Sequence, residues 1–156
     1  MRLSFVGTPR VLKRGGKREG AGRKPLGKGS GTPHCKRDEV DEETPLMLTM
    51  KIRKGLPSLR RKATHDLWKA ALRAVRRARK DFRVVHYALM GDHIHLLVEG
   101  DSTDAVSKGM ISLQVRFATA WNKVLGRRGK VFADRFHHLL LDGPLAVRRA
   151  IAYVLP

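Results

Sequence analysis

The sequence predicts an α+β domain of element order βαββαβα. Its core is a mostly antiparallel four-stranded sheet of ferredoxin-like or RRM-like type, with helices against one face and a disordered basic arm in front. Three observations predict it. Apolar alternation begins abruptly after Pro45, two later stretches repeat apolar residues at steps of three and four, and the residues before them have no apolar period.

The first 38 of the 156 residues hold eleven Lys/Arg against Glu19 and Asp38, together with eight glycines. Such a composition cannot bury a core. Glu39 to Glu43 is a short acidic linker, so residues 1–44 read as a flexible arm and linker and 45–156 as the folded domain.

Within the domain, Leu46, Leu48, Met50 and Ile52 alternate with Met47, Thr49 and Lys51, giving a strand with one apolar face. Gly55 and Pro57 break it, and Ser58 is a candidate N-cap. Leu59, Ala63, Leu67, Ala71, Val75, Ala78 and Phe82 then form one helical stripe, opposite a basic surface of Lys69, Arg73, Arg76, Arg77 and Lys80. Residues 83–90 (RVVHYALM) read as a strand, Gly91-Asp92 as a two-residue turn and 93–99 (HIHLLVE) as the returning strand. Asp101, Ser102 and Thr103 supply capping chemistry for a helix through Val106, Met110, Leu113, Phe117, Trp121 and Val124. Gly126 to Gly129 ends that helix. Residues 130–141 (KVFADRFHHLLL) read as a fourth, bulged strand, and Gly143-Pro144 opens the last helix.

Composition bounds the function. Thirty-three Lys/Arg against 14 Asp/Glu give a formal charge of +19, a field that attracts polyanions, nucleic acid first among them. No run approaches the roughly eighteen apolar residues of a membrane span, and the N-terminus lacks the apolar segment of a secretory signal. The single cysteine, Cys35, excludes an internal disulfide and a Cys-rich zinc site. A cytoplasmic, nucleoid-associated protein is expected.

The sharpest local feature is His93-Ile94-His95. On a strand, residues two apart share a face, so the two imidazoles project together while Ile94, Leu96 and Val98 face the core. The pair suits one divalent ion with a further ligand from elsewhere; a bare H-x-H is also common as two ordinary half-exposed histidines. Tyr153 lies on the last helix among Val147, Ala150, Ile151 and Val154. It reads either as a core aromatic or as a nucleophile toward a phosphodiester. For DNA contact the candidates are Arg23 and Lys24, in a segment that resembles the Gly-Arg-Pro core of minor-groove hooks, and the corner cluster Arg127, Arg128, Lys130 and Arg135.

Together these residues have a familiar arrangement. YALMGDHIHLLVEG resembles the strand-turn-strand block of the single-tyrosine HUH transposases, in which HUH denotes His-hydrophobic-His. GRRGKVFADRFH and AVRRAIAYVLP resemble two later blocks of one branch, the REP-associated tyrosine transposases, and GGKREGAGRKP resembles an arm seen in some members. Three blocks in the right order are far more specific than H-x-H alone.

The resemblance implies that His93 and His95 bind Mg²⁺ or Mn²⁺ and that Tyr153 attacks single-stranded DNA at short hairpin-forming palindromes. It implies a 5′-phosphotyrosine link, a free 3′-hydroxyl, rejoining by reversal, and a monomer or homodimer. It also implies a third metal ligand, usually Asn or Gln, one helical turn after the tyrosine. That would be position 157, one past Pro156, so the chain is expected to be C-terminally truncated. Glu99 and His137 are substitute ligands without a spacing argument, and His86 shares the face of His93 only in one register.

Two other readings stand beside the enzyme. One is a non-catalytic hairpin-binding remnant with an RRM-like fold. Against typical RNA readout, aromatic content is only 6% and HIHLLVE places no ring on the sheet face. The other is a generic basic architectural protein, which would bind duplex as well as hairpin and ignore divalent ions.

Overall fold

In the computed structural model, residues 39–40 and 44–154 are described. The predicted arm, with Arg23 and Lys24, lies outside the described residues, as does position 155 onward. The elements are β1 (Leu46–Lys51), α1 (Lys62–Ala78), β2 (Phe82–Leu89), β3 (His93–Gly100), α2 (Thr103–Val124), β4 (His137–Leu140) and α3 (Gly143–Val154). The sheet order is β2-β3-β1-β4 with every neighbouring pair antiparallel. β1 and β2, joined by α1, flank β3, which makes the split βαβ arrangement the sequence predicts.

Register sorts the side chains. Leu46 faces Val98, Leu48 faces Leu96 and Met50 faces Ile94 across the β1–β3 ladder. These residues form one core with Trp68, Val75, Met110, Leu113, Phe117 and Trp121 from α1 and α2. Trp68 meets Phe117 edge-on at 5.1 Å, and Phe117 stacks on Trp121 at 5.3 Å. The α2 stripe falls where its period places it, except that Val124 is exposed. Ser102 caps the helix, its hydroxyl accepting from Ala105 N–H at 3.1 Å.

Three expectations are corrected. First, α1 begins at Lys62, with Arg61 as an N-cap that makes no side-chain bond. Ser58 Oγ instead accepts from Arg60 N–H at 3.3 Å. The cause is tertiary: Leu59 N–H donates to Gly91 O at 3.0 Å, which ties this segment to the β2–β3 turn before the helix starts. Leu59 is buried from that loop, and the helix buries Thr64, Trp68, Ala71 and Val75 while Ala63 and Ala78 are exposed. Second, 130–141 is not one bulged strand. Phe132 forms a single bridge with Ile52, and a bend separates it from β4. The bulge lies in β2, between Val84 and His86.

Third, the helices do not share one face. α3 packs on the opposite side of the sheet, burying Leu97, Leu141 and Ala150 in a second cluster with Met47, Ala146, Val147 and Ile151 around it. Met47 and Leu97 alternate with the core residues of β1 and β3, so the second face carries its own apolar patch. That patch seats the one helix left over.

Candidate active site on the second face of the sheet

α3 covers part of the face that also carries the odd-numbered residues of β3. His93 and His95 stand side by side there, ring centroids 4.7 Å apart and nearly perpendicular. Tyr153, on α3, brings its ring to 5.0 Å from that of His95, again edge-on. Helical periodicity explains the position. Ala150 and Val154 are buried, whereas Tyr153 is 63% exposed, so its ring touches His95 at the margin of the helix contact and is open to solvent. The structure thus brings together the three residues singled out in the sequence.

Both imidazoles are held through Nδ1. His93 Nδ1 lies 2.8 Å from Asp92 Oδ1. A carboxylate only accepts, so His93 carries a proton on Nδ1, which leaves Nε2 as the atom that can ligate an ion in the neutral ring. Asp92 is itself placed, since its carbonyl accepts from Ile52 N–H at 2.8 Å and its carboxylate pairs with Lys51 at 3.5 Å. The bond from His93, with the Lys51 charge, holds the Asp92 carboxyl below the usual carboxylate range.

His95 Nδ1 lies 3.0 Å from Thr49 Oγ1, the residue directly opposite on β1. His95 is only 6% exposed, and its Nε2 is buried without a protein partner among the described residues. Burial, and then the neighbouring His93, push the His95 imidazole below its ordinary pKa, so the ring is neutral at neutral pH.

Sequence reasoning missed Thr49 and Asp92. Asp92 was legible as a carboxylate next to a histidine, but Thr49 needed the β1–β3 register. Arg149 was missed as well. It precedes Tyr153 by about one helical turn and, with Met47, Leu139 and Ala146, lines a cleft of about 510 Å³ beside the tyrosine.

The substitute ligands fall into place by register. His86 pairs with Leu97 and so shares the histidine face. Glu99 is engaged by Arg83. His137 stands opposite Thr49 on β4, with Thr49 between it and His95. Among the described residues, no group of three or more His, Cys, Asp or Glu side chains could hold a metal ion. Two imidazoles with fixed Nδ1 atoms still fit a divalent ion as two of its ligands, because such second contacts are what orient metal-binding histidines.

The corner cluster divides. Arg127 braces its own loop, donating to Asn122 Oδ1 at 2.8 Å and to Lys130 O at 3.3 Å. Arg128 and Lys130 are exposed, and Arg135 is half-buried. Arg53 N–H donates to Val131 O and Ala133 N–H to Lys51 O, both at 2.9 Å. Those bonds set the loop at the end of the sheet that carries Lys51, Asp92 and His93. Among the described residues, no helix is long and apolar enough to cross a membrane.

No protein-family model and no curated protein matches the sequence. Solved structures do match. A REP-associated tyrosine transposase bound to a REP hairpin aligns with a TM-score of 0.63 at 16% identity, covering 79% of this chain and 70% of that one. The fold is that of a REP-associated tyrosine transposase. A protein from Deinococcus radiodurans R1 described as a transposase aligns at 0.49 and 17% identity, covering 82% and 94% of the two chains. At such identities the likeness to the REP-associated transposase is one of fold, and the chemistry rests on the residues above.

Proposed function

We propose that this chain is a hairpin-binding DNA strand transferase, with Tyr153 as its nucleophile and His93 and His95 as ligands for Mg²⁺ or Mn²⁺. The observation that carries this reading is the meeting of Tyr153, His95 and His93 on one face, at centroid distances of 5.0 and 4.7 Å, although the tyrosine comes from a different element and from the far end of the chain.

The chain's own residues do the following. Asp92 accepts the Nδ1 proton of His93 and Thr49 Oγ1 can accept that of His95, an arrangement that turns both Nε2 atoms toward the ion. A divalent ion bound there supplies charge stabilisation to the scissile phosphate. The exposed Tyr153 phenol loses its proton to solvent and forms a bond to phosphorus. The bond to the 3′-oxygen breaks, that oxygen takes up a proton, and the protein is left on the 5′-phosphate. Rejoining is the reverse. Arg149, Arg128 and Lys130 are exposed cations for phosphates near this face.

A covalent-adduct assay tests the reading. Protein, Mn²⁺ and a panel of 3′-labelled hairpin oligonucleotides are mixed and denatured, and the label is followed on a gel beside Tyr153→Phe. A labelled protein band that vanishes in Tyr153→Phe is expected. Among the described residues no third His, Cys, Asp or Glu joins the pair, which favours a second reading, a hairpin-binding protein without cleavage. Hairpin binding with no adduct would select it.

A further inference from the structure

The cleft of about 510 Å³ beside Tyr153 opens between α3, β4 and β1. Its size falls within the roughly 300–1,000 Å³ of pockets that take small ligands. Met47 and Leu139 supply apolar walls, and Ala146 leaves space that a larger side chain would fill. Leu139 is 61% exposed, so this apolar surface is open to solvent.

The cleft is charged differently along its length. Asp142 stands just before α3, Arg149 lies seven residues on, about 10 Å along the helix, and Tyr153 one turn further. Both charged side chains are exposed. Among the described residues neither makes an ion pair. A DNA strand at Tyr153 therefore meets a free guanidinium for a phosphate, whereas the Asp142 carboxylate repels phosphate. What suits the Asp142 end is a neutral group that donates hydrogen bonds. A nucleobase has flat faces for Met47 and Leu139 and, in cytosine or adenine, an exocyclic amine for the carboxylate. Bases turned out of a stack are held in this way, between apolar side chains with polar groups on their edge. In a duplex the same faces and amine are already stacked and paired, so the cleft suits an unpaired nucleotide.

We propose that the cleft holds one unstacked base, cytosine or adenine, of the strand that Tyr153 attacks. Arg149 contacts the adjoining phosphate and Asp142 accepts from the base amine. The proposal rests on the reading of the substrate given above and adds a base-reading element to it: a base seated beside the nucleophile helps to choose where the strand is cut.

The test is an abasic scan of binding. A DNA hairpin with an unpaired flank is made in a series, each member lacking one base of the flank. Affinity is measured with Mn²⁺ and the full-length Tyr153→Phe chain, which keeps the ring at the cleft and cannot form an adduct. One flank position should be sensitive, losing about tenfold in affinity when its base is removed. Cytosine or adenine there should bind about fivefold more tightly than thymine, and Asp142→Asn should erase that preference. Ala146→Leu, which fills the cleft, should weaken the intact hairpin and make it indifferent to the same abasic site. Arg149→Gln, an exposed change, should make the log–log salt slope shallower by about one. A flank with no sensitive position overturns the proposal, and so does a base preference that Asp142→Asn leaves intact. Adducts are scored separately in the unsubstituted chain, so loss of the cleavage reading alone leaves this result standing. Absence of any hairpin binding removes the substrate reading and the proposal with it.

Discussion

Thr49 Oγ1 lies 3.0 Å from His95 Nδ1, directly across the β1–β3 ladder. One hydroxyl thereby holds the plane of the more buried histidine. Thr49→Val keeps the branched shape and removes the oxygen. The expected result is a loss of about 10–100-fold in Mn²⁺ affinity by calorimetry, as for other contacts that orient metal-binding histidines. An unchanged affinity would show that Thr49 does not orient the ligand.

His95 should titrate below the roughly 6.5 of an ordinary imidazole. Burial and the His93 ring disfavour its charged form, so the folded state binds fewer protons than the unfolded one. Stability from this residue is therefore complete above about pH 6.5 and falls as pH drops through that value toward the folded pKa. An NMR titration of the imidazole signals, with His95→Gln to assign them, measures the shift. A midpoint at or above 6.5 would contradict the burial argument.

Gly109 lies against Phe82, and a Cβ at that position would overlap the Phe82 ring. Gly109→Ala should destabilise the fold by about 1–3 kcal/mol despite the better helix propensity of alanine, because both partners are buried. Urea unfolding reads the change, and Phe82→Leu in the same chain should recover part of it.

Removing residues 1–38 takes away eleven Lys/Arg and two acids. Hairpin binding should weaken and its salt slope should become shallower. An identical slope for the shortened protein would mean that the arm does not engage DNA.

Much of this architecture is legible in the sequence because two periods carry it. The alternation Leu46, Leu48, Met50 and the helical run Val106, Met110, Leu113, Phe117 each point to one face, and tertiary structure follows them. Where the period passes through alanines the reading slips. Ala63 and Ala78 fit the α1 stripe as well as any residue, yet Trp68 occupies its centre, because a large ring rather than a methyl decides which face is buried. The fourth strand misleads for another reason. Phe132, Phe136 and Leu140 look like one alternating run, but Asp134 accepts from Arg135 N–H at 2.8 Å and turns the chain between them.

At the site, His93, His95 and Tyr153 were each visible, since strand geometry pairs the histidines and the rarity of tyrosine marks the third. What brings them together was not visible. That depends on α3 crossing to the second face, which follows from Met47 and Leu97 being apolar where the face would otherwise be polar.

Among the described residues the main core draws on nineteen buried residues, whereas α3 is seated on a separate cluster with three buried residues. The histidines belong to an inner strand of the sheet that lines the larger cluster, and the tyrosine to the helix seated on the smaller. Regions with few buried apolar contacts open at lower free energy than the whole molecule. Amide protons of α3 therefore exchange with solvent ahead of those in α1 and α2, and the phenol can part from the imidazoles while the sheet that orients them stays intact.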